Sequence, residues 1–156
     1  MAETRIDENT RLLAWMEDIL AAPYWIIDML PEQVPADAGG RYFAVDRYYR
    51  EPERLRALRV KFADIILKLY CYYDLRVSLD GCETWQRNPE PEELAAGIRD
   101  LPGNRFVRVL FPTEEAMLDL DGGDPYMTLY APTVPLLEKA KKLAEAAGLF
   151  VSSRTV

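Results

Sequence analysis

The stretch PERLRALRVKFADIILKLY, residues 52–70, decides the fold. Leu55, Leu58, Phe62, Ile65, Ile66 and Leu69 recur at helical spacing and draw one continuous apolar stripe. Arg54, Lys61, Asp64 and Lys68 lie on the other side. Pro52 suits a first helical turn, where its missing N–H has no intrahelical partner to lose. A helix with such a stripe must lay it on another layer, and the flanking sequence supplies strands.

Downstream, Tyr72–Leu79 alternates, with Tyr73, Leu75, Val77 and Leu79 on one face. Asp80-Gly81 is a hairpin-turn signal, and Cys82–Arg87 is the expected return strand. Asn88 is placed to cap a short helix that ends near Asp100, and Glu90, Glu92 and Glu93 suit its positive end. Phe106–Phe111, Ala116–Leu120 and Tyr126–Tyr130 read as strands, with a turn at Asp121–Asp124. A last helix spans about 133–147, capped by Gly148, before a closing strand at Leu149–Val151.

Upstream, Leu12, Leu13, Met16, Ile19 and Leu20 mark a helix over about 6–21, stopped by Pro23. Aromatic and β-branched content predicts strands over 24–30 and 41–49, joined as a hairpin by a mobile loop, PEQVPADAGG, over 31–40. Helices therefore alternate with hairpins, not with single strands. The expected fold is α+β: a mainly antiparallel sheet with helices packed on one face, in a single compact domain over 1–156.

Composition narrows the chemistry. The 156 residues include no histidine and only two cysteines, Cys71 and Cys82. Ser-His-Asp and Cys-His catalysis, His-based metal sites and a Cys₄ zinc site are excluded. Neither a G-x-G-x-x-G nor a Walker A phosphate loop occurs. Cys71 is expected to be a buried, inert thiol. No apolar run approaches a bilayer span, and the N-terminus carries no signal-like apolar segment. The expectation is a cytoplasmic protein with no membrane partner and no cofactor or metal. With 26 acidic and 19 basic residues the net charge is −7, which argues against nucleic acid as a partner.

Three groups of residues are candidates for function. Asp119, Asp121 and Asp124 form an acidic patch in the DLDGGD turn, which departs from the EF-hand loop at its fifth and twelfth positions, Gly123 and Tyr130. Residues 41–61 hold seven basic against three acidic residues, a local +4 that leaves the remainder at −11. Within and beyond this stretch, Arg47, Tyr48, Tyr49, Arg50, Arg54 and Tyr73 are the expected partner-binding residues, since arginine and tyrosine are favoured at protein interfaces. The expected function is a small non-enzymatic interaction module that binds a protein partner or itself, an immunity- or antitoxin-like role being one version. The alternative is a small-anion-binding protein or enzyme in which Arg41, Arg47 or Arg50 holds the anion in a forked geometry, alongside carboxylates.

Overall fold

The stripe over 52–70 forms a helix with those bounds, Pro52–Tyr70, and its six apolar residues are all buried. A computed structural model describes residues 2–31 and 35–154, with the backbone alone for 2–9 and 154. The chain runs α1 (Ala2–Leu20), β1 (Tyr24–Asp28), a 3-10 turn (Ala36–Ala38), α2 (Gly39–Tyr49), α3 (Pro52–Tyr70), β2 (Arg76–Ser78), β3 (Gln86–Arg87), α4 (Pro91–Arg99), β4 (Phe106–Phe111), β5 (Ala116–Asp121), β6 (Tyr126–Tyr130), α5 (Val134–Ala146) and β7 (Phe150–Arg154). The strands form one sheet in the order β3-β2-β4-β5-β6-β1-β7, with every neighbouring pair antiparallel.

Strand alternation sorts the two faces of this sheet. Val107, Val109 and Phe111 of β4, with Leu118 and Leu120 of β5, share one core with the stripe of α3. Leu94 and Ile98 of α4 join it, as do Leu136, Ala140 and Ala144 of α5, whose alanines let that helix come close. Helices α3, α4 and α5 therefore cover one face, as the sequence leads one to expect. Leu110 and Met117 point the other way and are covered by Met16 and Ile19, so α1 lies across the opposite face.

Residues 41–49 are helix, not strand. The strand reading requires an open edge on β1, yet β6 and β7 take both of its edges. With no ladder available, RYFAVDRYY forms intrahelical hydrogen bonds and turns Tyr42, Asp46 and Tyr49 toward the body. Asp46 and Arg50 then close an i,i+4 ion pair at 2.9 Å. The loop expected over 31–40 is correspondingly shorter: 36–38 form the 3-10 turn and Gly39-Gly40 begin α2. Residues 32–34 of that loop lie outside the described residues.

The hairpin around Asp80-Gly81 exists, but its return strand is only Gln86–Arg87. The Asp80 carboxylate accepts hydrogen bonds from Ser78 Oγ, Thr84 N and Thr84 Oγ1, which folds residues 80–84 onto themselves. Asn88 does not cap α4. Its Oδ1 accepts from Leu75 N at 2.8 Å and its N donates to Leu75 O, extending the β2–β3 pairing. Gly148 does end α5, at φ 79°, with Leu149 N donating back to Ala144 O.

Two substitutions test this packing. Phe62 is fully buried, so Phe62→Ala lowers unfolding free energy by about 3–5 kcal/mol in urea melts. A Cβ on Gly122 would lie 1.9 Å from the Pro102 carbonyl oxygen, so Gly122→Ala forces backbone apart and sharply reduces the melting temperature. Gly40→Ala, with nothing within 4 Å, leaves it unchanged or raises it.

Candidate functional site

The basic stretch meets the rest of the fold at the corner between α2 and α3. Five of its seven cations are engaged inside the molecule. Arg50 pairs with Asp46 and donates to Gly123 O at 3.3 Å. Arg54 pairs with Glu51, and Arg56 pairs with Asp100 at 3.1 Å. Arg59 is buried and donates from Nη1 to Leu101 O at 2.6 Å and to Gly122 O at 3.3 Å. Burial pushes its guanidinium below the ordinary arginine value, with Asp100 opposing and Arg56 adding to the shift. Lys61 donates to Ala147 O, near the end of α5, at 3.1 Å. Arg41 and Arg47 make no ion pair among the described residues.

Three of the expected partner-binding residues share one cleft. Tyr48, Tyr49 and Arg54 line it together with Met29, Ala57, Leu58 and Lys61, around a volume of about 210 Å³. The Arg54 guanidinium stacks 3.6 Å from the centre of the Tyr48 ring. Tyr48 and Tyr49 meet edge to face at 5.1 Å. Arg47 and Arg50 are exposed on the same stretch of α2 and its end but do not line the cleft.

Tyr73 lies apart from this group. It follows the far end of α3, roughly 25 Å along the helix from Arg54. Its ring packs edge to face on Phe111 at 5.8 Å, and its hydroxyl accepts from Lys139 Nζ at 3.1 Å. Cys71, at the same end, is exposed rather than buried and donates weakly to Leu67 O.

The three carboxylates of the acidic patch lie within electrostatic reach of one another, since Asp121 and Asp124 add to the raising of Asp119 and Asp121 adds to that of Asp124, but they differ in burial. Asp119 faces the α1 side of the sheet, 3.7 Å from Arg108 Nε, an ion pair too long for a hydrogen bond. Burial holds its carboxyl above the usual range, against the opposing pull of Arg108. Asp121 is exposed, and its Oδ1 accepts from Gly123 N. Asp124 is raised by burial and then by Asp121, with the Tyr126 hydroxyl and Arg50 opposing. Among the described residues no group of three or more cysteines and carboxylates gathers to hold a metal ion. Gly122 in this turn serves packing, since the Pro102–Arg105 backbone leaves no room for a side chain.

Several residues of this corner were not singled out from the sequence. Phe43 and Val45 are exposed on α2, and they read as a strand in which one face would be buried. Met29 belongs to the end of a strand reading. Lys61 has a signal: 54, 57, 58 and 61 follow helical spacing on the side of α3 next to its core stripe.

Two measurements check these assignments. Arg59→Met leaves two loop carbonyls without their donor and costs about 2–3 kcal/mol, whereas Arg56→Met, which breaks an exposed pair, costs less than about 1 kcal/mol. The raised Asp119 carboxyl makes the folded chain bind its proton more tightly than the unfolded chain. Its contribution is therefore complete below the ordinary aspartate value of about 3.9 and is lost as pH rises through the higher folded value. Asp119→Asn removes that downward slope from denaturant midpoints measured across the acidic range.

No family model matches this chain, and no curated protein or solved structure matches it, so any functional reading rests on the residues just described.

Proposed function

We propose that this protein is a non-enzymatic interaction module that docks a protein partner through the exposed residues of α2. The observation that carries the reading is the burial pattern of that helix. None of its residues is buried, while Phe43 is 62%, Tyr48 50% and Val45 45% exposed. Val45 and Tyr48, three residues apart, are neighbours on the helix surface and Phe43 lies on its other flank, so a partner that wraps α2 covers large apolar side chains on both.

Charge supports a particular kind of partner. Arg41 and Arg47 flank these apolar residues, and both are exposed with no ion pair among the described residues. Local positive charge on a chain of net −7 selects an acidic rim around an apolar depression, and steers its approach. The immunity- or antitoxin-like version needs a free acidic surface for a basic partner. Of Asp119, Asp121 and Asp124 only Asp121 is exposed, so the three offer that version little free acidic surface.

The test compares the wild-type chain with a Phe43→Ser/Val45→Ser double variant as bait in extracts of the native host. A stoichiometric acidic partner that the wild type retains, the variant loses and high salt releases is the expected result. The melting temperature of the variant stays within about 2 °C, since neither side chain is buried. Equal retention by both baits, or a wild-type chain that stays alone and monomeric, overturns the reading.

A further inference from the structure

The cleft beside α2 carries a chemistry that the exposed residues of that helix do not. Arg54, Ala57, Leu58 and Lys61 fall three and four residues apart, so α3 lays them in one row. Their backbone positions put the two cations about 10 Å apart along the axis, with an apolar floor between them. Met29 and the two tyrosine rings form the sides, and no carboxylate is among the lining residues.

Size and charge then limit what can enter. The cleft's 210 Å³ falls below the roughly 300 Å³ at which pockets for drug-sized ligands begin, so it takes one residue-sized group. Arg54 uses Nη1 for Glu51 and for the Tyr48 carbonyl. Its Nε and Nη2 have no partner among the described residues, and together they form one edge of the guanidinium fork that receives a carboxylate bidentately. Lys61 gives one hydrogen bond to Ala147 O and keeps further donor capacity. Glu51 offsets one of the two cations, which favours a monoanion over a phosphate dianion.

A carboxylate and a sizeable apolar group must therefore occupy the space of a single residue. Within a protein, an apolar C-terminal residue has both. We infer that the cleft is a subsite for the C-terminal residue of the docked partner, a step that rests on the docking reading above. The terminal carboxylate sits on the Arg54 fork. The apolar side chain lies over Ala57 and Leu58, between Met29 and the rings of Tyr48 and Tyr49.

The test titrates the full isotope-labelled chain with N-acetyl-L-phenylalanine, with its C-terminal amide, and with 3-phenylpropionate, following backbone amide resonances. The free acid shifts residues 48–61 saturably in the millimolar range. The amide binds at least about tenfold more weakly, and Arg54→Gln produces the same loss. Arg54→Lys, which keeps the charge but not the fork, recovers only part of it. Equal binding of acid and amide, or no saturable shift, overturns the inference. Binding of 3-phenylpropionate as tight as that of the acetylated residue also overturns it, in favour of a free small acid. Phe43 and Val45 lie outside the cleft, so the two proposals separate. Partner loss in their double variant without carboxylate binding removes the subsite alone. Carboxylate binding without an α2-dependent partner removes the docking reading and, with it, the assignment to a partner's terminus.

Discussion

One buried cation holds the loops at one end of the sheet in place. Arg59 rises from the middle of α3, among residues that face the core, and donates to the carbonyls of Leu101 and Gly122. These belong to two different connections, one between α4 and β4 and one between β5 and β6. Gly122 lacks a side chain where the Pro102 backbone crosses it, and its N–H donates to Arg105 O at 2.8 Å. The helix, the two loops and the ends of β4 and β5 thus share a single hydrogen-bonded junction. Buried carbonyls without donors are costly, so α3 cannot shift along the sheet without leaving them unpaired.

That junction changes the meaning of the basic stretch. In one dimension, seven cations in 21 positions look like a docking stripe. In three dimensions, Arg56, Arg59 and Lys61 reach Asp100, Leu101, Gly122 and Ala147, all more than forty positions away in the chain. Local sequence carries no trace of such partners. Arginines near the positive start of a helix are locally unfavourable, and at Arg54 and Arg56 the Glu51 and Asp100 carboxylates offset that cost. The cations left over sit on α2, and the surface that recruits a partner contracts to that helix and the cleft beside it.

Legibility followed the range of the interactions concerned. Residues 52–70 and 134–146 carry long apolar stripes, and 106–130 carries alternation broken by Gly and Asp turns. In those segments local pattern and tertiary contact agree. Residues 41–49 were legible only as an aromatic segment, since Tyr, Phe and Val favour strands when an edge is available. Whether β1 offers that edge depends on β6 and β7, which arrive about a hundred residues later. The Asp80 loop failed for a related reason. Asp80-Gly81 signals a tight turn, but Ser78 and Thr84 hydroxyls bind the Asp80 carboxylate and set a wider one. Burial raises that carboxyl, yet the hydrogen bonds outweigh it and hold it below its usual range. In the cleft, Tyr48, Tyr49 and Arg54 were recognisable by residue type and Lys61 by its helical spacing from Arg54, whereas Met29 depends on how α2 folds back beside α3.

The helical state of 39–49 also explains why this corner is suited to contact. Eleven residues are too few for a helix to be stable alone, so α2 persists through its attachments. Tyr42, Asp46 and Tyr49 turn inward without being fully buried, Arg50 closes onto Asp46 and Gly123, and Arg54 stacks on Tyr48. These contacts fix the inner side and the C-terminal end while leaving Phe43 and Val45 in solvent. A strand in the same place would have pointed alternate side chains into the sheet and left no cleft against α3. A helix anchored on one side instead presents its apolar residues outward at low ordering cost, because the backbone is already in place before a partner arrives.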